Sequence, residues 1–134
     1  MPKESKDAKA IKVLLLEDEA TLANLYSKKL TERGFQVRTH SDANGVIEEF
    51  DDFEPDIAFL DYSLHGNDKS GIDIIPLLLK KRPDMKIVML SNYSEFQMEQ
   101  QAKEAGAVDY LLKINTSPMT LADYTEKLAK KFKR

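Results

Sequence analysis

The chain has 134 residues, enough for one domain with a single core. Hydrophobic residues make up 42% and charged residues 32%, which is a globular composition, and a formal net charge of -3 argues against holding nucleic acid by bulk positive charge. The absence of cysteine excludes disulfides and thiolate chemistry, and two histidines are too few for a histidine-rich metal site.

Met1–Ala10 is polar and charged, lacks the apolar middle of a signal peptide, and reads as a flexible tail over residues 1–10. No later apolar run reaches the roughly 18 residues that span a membrane, so a cytoplasmic location with no membrane contact is the default expectation. Ile11–Leu16 is an apolar run of strand length. Leu22, Leu25, Tyr26 and Leu30 recur at helical spacing and predict a helix over about 19–33, with Gly34 as its stop. Phe35–Thr39 reads as a second strand, and residues 42–51 as a short helix capped by Ser41. Asp56–Leu60 is the third strand-like run. Ile72, Ile75, Leu78 and Leu79 predict a helix over 71–82 that ends before Pro83, with Pro76 distorting its early turns. Lys86–Leu90 is the fourth run. Ser94 with Gln97 has the form of a capping box opening a helix to about 105, and Gly106 ends it. Val108–Leu112 is the fifth run. Ser117 and Pro118 read as the cap and first residue of a last helix whose apolar face is Leu121, Tyr124, Leu128 and Phe132. The basic residues at its end suit the helix dipole.

Five strands alternating with five helices predict an α/β fold, a doubly wound parallel sheet covered on both faces. The expected strand order is the flavodoxin-like 2-1-3-4-5, with ligands beyond the carboxyl ends of the strands. Four of the five runs stop there at a polar residue: the first at Glu17 and Asp18, the third at Asp61, the fourth at Ser91, the fifth at Lys113. Singly these mean little, because an acid or serine after a strand usually caps a helix or forms a turn. Together they bring three carboxylates, a hydroxyl and an ammonium to one crevice. Clustered carboxylates repel unless a cation holds them, and hard oxygen ligands suit Mg2+ or Mn2+. The cation and Lys113 would neutralise a phosphoryl group, and a carboxylate can accept one as an aspartyl phosphate.

The segments KVLLLEDE (12–19), PDIAFLDYSLHGNDKSGIDII (55–75), KIVMLSNY (86–93) and AGAVDYLLK (105–113) resemble the receiver domains of bacterial two-component response regulators. The resemblance covers about residues 11–132, and the receiver unit is placed at 11–134. It implies that Asp61 is the phosphoacceptor and that Glu17 and Asp18 form the acidic pair, with Asp18 the more direct metal ligand. It implies that the backbone carbonyl of Ser63 joins the metal site, that Ser91 and Lys113 contact the phosphoryl group, and that Tyr110 is an aromatic switch following Ser91. The implied partners are a sensor histidine kinase or a histidine phosphotransfer protein, and an effector or a second copy of the chain, without direct contact to nucleic acid. Such a module is a signalling phosphoacceptor that catalyses only its own phosphorylation and dephosphorylation.

Four features depart from that pattern. The loop after Asp61 is about two residues longer than usual, with His65 where many members have proline. Asn92 stands where a smaller residue is usual, and Tyr93 lies where side chains influence the phosphoryl lifetime. Ile114 replaces the proline that usually follows the lysine in a cis peptide, and the start of the last helix lies one residue farther away. A trans Lys113–Ile114 peptide with a rebuilt loop over 114–117 is therefore expected, with Lys113 still aimed at Asp61. The face formed by the fourth helix, fifth strand and fifth helix is the expected output surface. It is acidic at Glu95, Glu99, Glu104 and Asp109, and basic at Lys127, Lys130, Lys131 and Arg134, a pattern that suits a two-fold pairing.

Two other readings stand beside this one. A haloacid-dehalogenase-like phosphatase also uses an aspartate nucleophile, a lysine and Mg2+, but residue 63 is serine where the second acid of its D-x-D pattern belongs. The other is a receiver-like binding module without phosphorylation, against which the intact acidic site argues. Neither G-x-x-x-x-G-K nor G-x-G-x-x-G occurs, so a nucleotide site is not expected.

Overall fold

Strands buried on both faces need apolar side chains at successive positions rather than alternate ones, and that is how the central runs of this chain pack. The structure, a computed structural model, describes residues 10–62 and 71–131. The elements follow in the order β1 (Lys12–Leu16), α1 (Ala20–Glu32), β2 (Gln36–His40), α2 (Ala43–Phe53), β3 (Ile57–Asp61), α3 (Gly71–Lys81), β4 (Lys86–Ser91), α4 (Phe96–Ala105), β5 (Asp109–Leu112) and α5 (Pro118–Ala129). The five strands form one parallel sheet in the order β2-β1-β3-β4-β5, as the sequence predicts.

The strand side chains divide by parity between two cores. Leu14, Leu16, Ala58, Leu60, Ile87 and Met89 pack with Val46 and Phe50 of α2, Ile74, Ile75 and Leu78 of α3, and Ala102 of α4. Val13, Leu15, Ile57, Phe59, Val88 and Leu90 pack on the other face with Tyr26 and Leu30 of α1 and Leu121 and Leu128 of α5. Each fully buried side chain of this size contributes about 1.5–3 kcal/mol from apolar burial. Among the described residues no helix is long and apolar enough to cross a membrane.

Several local expectations hold. Ser117 caps α5, its hydroxyl oxygen accepting from the Thr120 N–H at 3.1 Å, with Pro118 in the first turn. Gly106 ends α4 at φ 125°, a conformation a side chain would resist. Others need correction. The cap of α2 is Asp42 rather than Ser41, its carboxylate accepting from Gly45 N–H at 2.8 Å. The reason is that β2 runs on to His40, paired with Leu16, and so moves the helix start along. The Ser94–Gln97 capping box does not form. α4 starts at Phe96 behind Glu95, which makes no side-chain cap bond. The preceding backbone is held elsewhere: Tyr93 N–H donates to Ser91 Oγ at 3.0 Å, and the Tyr93 carbonyl accepts from the Tyr110 hydroxyl at 2.8 Å. Pro76 lies on the exposed side of α3, inside the helix Gly71–Lys81, where it has no N–H to give to the carbonyl of Ile72. Phe132 and Arg134 lie outside the described residues.

Candidate functional site

Parallel pairing sets the carboxyl ends of four strands side by side. Glu17 and Asp18 follow β1, Asp61 closes β3, Ser91 closes β4, and Lys113 follows β5. The register aligns Asp61 with Leu90 and Ser91 with Leu112, so these ends share one edge. One carboxylate oxygen from each of Glu17, Asp18 and Asp61 lies within 4.8 Å of the others, an arrangement that can hold a metal ion. Glu17 and Asp61 are buried and Asp18 is half-buried. Lys113 joins them, its Nζ 2.7 Å from Glu17 Oε1 and 3.0 Å from Asp61 Oδ2. The second oxygen of Glu17 accepts from Glu19 N–H at 3.0 Å, which fixes the carboxylate's orientation.

The electrostatics are those of an overfilled acidic pocket. Burial pushes the Asp61 carboxyl up from 3.8 to about 6; the neighbouring charges of Glu17 and Asp18 push the same way, while the Lys113 ammonium opposes them. Burial alone would lower the Lys113 amine, but its hydrogen bond to Glu17 and the charge of Asp61 outweigh burial and raise it. Among the described residues, Lys113 is the ammonium paired with Glu17 and Asp61 in this cluster. A divalent cation is the group that would balance them, and an all-oxygen donor set with one half-exposed member fits Mg2+ or Mn2+.

Lys113 reaches the site across the expected rebuilt loop. No cis peptide bond occurs among the described residues, and Lys113–Asn115 forms a single 3-10 turn. Thr116 closes that turn, with its Oγ1 donating to the Leu112 carbonyl at 2.7 Å and its N–H to the Lys113 carbonyl at 3.1 Å.

Ser91 and Tyr110 stand at the same edge but their hydroxyls turn elsewhere. Ser91 is buried, and its Oγ both accepts from the Tyr93 N–H at 3.0 Å and donates to the Tyr93 carbonyl at 3.3 Å. Tyr110 donates to that same carbonyl at 2.8 Å, so the two residues meet on the backbone of Tyr93. Ser63 and His65, with the rest of the long loop after Tyr62, lie outside the described residues. On the expected output face Glu99 pairs with Lys103 of its own helix, and Asp109 accepts from the Tyr124 hydroxyl and the Tyr110 N–H.

Three residues around the site have roles that the sequence reading did not assign. Tyr62 sets its ring edge-on to Tyr110, with centroids 6.3 Å apart, and its hydroxyl donates to Gln101 Oε1 of α4 at 3.0 Å. Gly71 begins α3 directly against β3, where any Cβ would collide with the Asp61 carbonyl oxygen. The signal was a glycine, a poor helix former, at the head of an apolar helical pattern. Tyr26 is the third: fully buried, it donates its hydroxyl to the Thr116 carbonyl at 2.7 Å. A tyrosine on an otherwise aliphatic helix face is the clue, because a buried phenol needs a partner.

Comparison with known proteins agrees with this architecture. The model of the response regulator receiver domain matches residues 13–125. The nitrogen assimilation regulatory protein NtrX of Azorhizobium caulinodans is 28% identical over 101 residues, which is 75% of this chain and 22% of that protein. The chain thus spans about a fifth of the length of such curated relatives. A CheY-like receiver domain protein of Methanospirillum hungatei has the same fold, with a TM-score of 0.79 at 23% identity over 92% of this chain and 94% of that one. A response regulator of Burkholderia pseudomallei, solved with a phosphorylated aspartic acid, a calcium ion and citrate, superimposes with a TM-score of 0.72 at 23% identity, covering 89% of this chain and 72% of that one. A parallel sheet in this order, acids at the ends of β1 and β3, and a family match over most of the chain lead to one conclusion: the chain belongs to the response regulator receiver domain family, the signalling modules of two-component systems.

Proposed function

We propose that the chain accepts a phosphoryl group on Asp61 in a reaction that needs Mg2+ or Mn2+. The observation that carries this reading is Lys113 lying 3.0 Å from Asp61 and 2.7 Å from Glu17 within the three-carboxylate cluster. In the reaction an Asp61 carboxylate oxygen forms a new bond to phosphorus as the bond from phosphorus to the donor breaks. The donor leaves with the bonding pair: as acetate from acetyl phosphate, or as an imidazole from a phosphohistidine, the freed nitrogen taking a proton from water. Glu17, Asp18 and Asp61, with the Ser63 backbone carbonyl, would hold the cation. When bound, it neutralises the carboxylates and the charge of the transferring group. Lys113 supplies a fixed positive charge for a phosphoryl oxygen.

The Ser91 hydroxyl is to leave Tyr93 and donate to the phosphoryl group. Tyr110 is bonded to the same carbonyl, so its hydroxyl and the face of α4, β5 and α5 are to follow. The aspartyl phosphate and the calcium ion described for the Burkholderia pseudomallei protein support this reading by likeness of fold. The donor is a sensor histidine kinase or a histidine phosphotransfer protein of the cytoplasm, and the output partner an effector or a second copy. The chain is the phosphoacceptor rather than an enzyme acting on other substrates.

Incubation with acetyl phosphate and Mg2+, followed by intact mass, tests the reading. One added phosphoryl mass is expected in the parent and none in Asp61→Asn. Phosphorylated Asp61→Asn, or sustained turnover of p-nitrophenyl phosphate, would overturn it.

A further inference from the structure

The loop that carries Lys113 has little of its own to hold it in shape. Ile114 is 87% exposed and Asn115 is exposed as well, so neither packs the turn down. Only Thr116 points inward; it is 6% exposed and spends its hydroxyl and its N–H on the carbonyls of Leu112 and Lys113. Those two bonds shape the turn but do not tie it to the rest of the molecule. Besides the ion pairs of the Lys113 side chain itself, a described tie of its backbone to another element is Tyr26 of α1, whose buried hydroxyl donates to the Thr116 carbonyl from 90 residues away at 2.7 Å.

We propose that Tyr26 and Thr116 form a buried brace that positions the Lys113 ammonium between Glu17 and Asp61. The proposal rests on the phosphoacceptor reading given above. The two residues touch neither donor nor cation; they act through Lys113. The Tyr26 ring is fully buried in the core that also holds Val13, Leu15, Leu30 and Leu121, which gives the hydroxyl a fixed origin. Burial pushes the phenol up to about 12, which keeps it a neutral donor throughout the working range. Thr116 relays that fixed point to the two carbonyls flanking the Lys113 Cα. A proline could set such a turn by its ring alone, whereas Ile114, with its free backbone and solvent-facing side chain, cannot. Long, flexible lysine gains from a fixed backbone because catalysis by a charged group depends on its being placed before the reaction.

The test is the rate of phosphorylation by acetyl phosphate at saturating Mg2+, followed by intact mass, in four single variants and one double. Lys113→Ala should slow it strongly. Tyr26→Phe keeps the ring and removes the donor, and should slow it about three- to tenfold. Mg2+ affinity, read by calorimetry, should stay within about twofold of the parent, because no cation ligand is touched. Thr116→Val should slow the reaction by a similar factor and Thr116→Ser should keep the parental rate, since serine retains the hydroxyl. This pair carries the test should Tyr26→Phe fold poorly. In the Lys113→Ala background Tyr26→Phe should cost nothing further, because the group it positions is gone. Parental rates in both Tyr26→Phe and Thr116→Val would overturn the brace. So would an equal slowing by Tyr26→Phe with and without Lys113, which marks a purely structural effect. A parental rate in Lys113→Ala itself would overturn the underlying reading of the site, and the brace with it.

Discussion

β3 has a buried carboxylate at each end, and the two behave differently. Asp56, just before the strand, is 4% exposed; Asp61, its last residue, is 3% exposed. Asp56 sits in a neutralised setting: Oδ2 accepts from the Lys12 N–H at 2.9 Å, and Oδ1 faces the Arg82 guanidinium at 3.4 Å. Asp61 pairs with Lys113 and lies beside Glu17 and Asp18, and burial raises its carboxyl to about 6. Burial is the same at both ends. What separates the two carboxylates here is the like charge of Glu17 and Asp18 beside Asp61, which pushes its carboxyl further up.

Substitutions at the two ends should therefore read out in different assays. Asp61→Asn should abolish phosphoryl uptake completely by intact mass while leaving a folded protein, whereas Asp56→Asn should still take up the group. Asp18→Ala should weaken Mg2+ binding by at least about tenfold in a calorimetric titration, because it removes one of the three carboxylates that cluster among the described residues. Unchanged affinity would break the comparison at its acidic end.

A smaller effect concerns pH in the presence of a chelator. A carboxyl whose pKa is raised by folding stays protonated in the native state after the unfolded chain has lost its proton. Its stabilising contribution is complete below 3.8 and is lost as pH rises toward about 6. The thermal stability of the parent relative to Asp61→Asn should accordingly fall across that window, and saturating Mg2+ should reverse the trend. At the other end of the strand, Asp56→Ala should cost about 1–3 kcal/mol in urea denaturation, the penalty for leaving the partly buried Lys12 N–H without its acceptor. A cost near zero would mean that water replaces the carboxylate as the acceptor.

Much of the site was legible along the chain because strand direction and apolar content are local properties. Runs such as Val13–Leu16 and Ile57–Leu60 have no polar face, so they must be covered on both sides, and the intervening helices force parallel pairing. Once the strands are parallel, the residue that ends each run belongs to one edge. That reasoning alone brings Glu17, Asp18, Asp61 and Lys113 together. It also places Ser91 at the edge, though not the direction of its hydroxyl, which the loop backbone at Tyr93 takes.

Features that depend on a competition between neighbours were not legible. Ser41 and Asp42 are both good caps, and the choice between them followed from how far β2 pairs with β1. Ser94 and Gln97 make a sound capping box on paper, but the Ser91 and Tyr110 hydroxyls hold the strand-like backbone before it. Gly71 needs its missing side chain because the Asp61 carbonyl lies against it, a contact that the helix pattern does not record. By itself the sequence determined the sheet, the edge and the chemical kind of the site, because each follows from periodicity and from charge at strand ends. The tertiary structure alone decided how Lys113 is aimed, because the bond from Tyr26 to Thr116 joins positions 90 residues apart whose meeting no local pattern records.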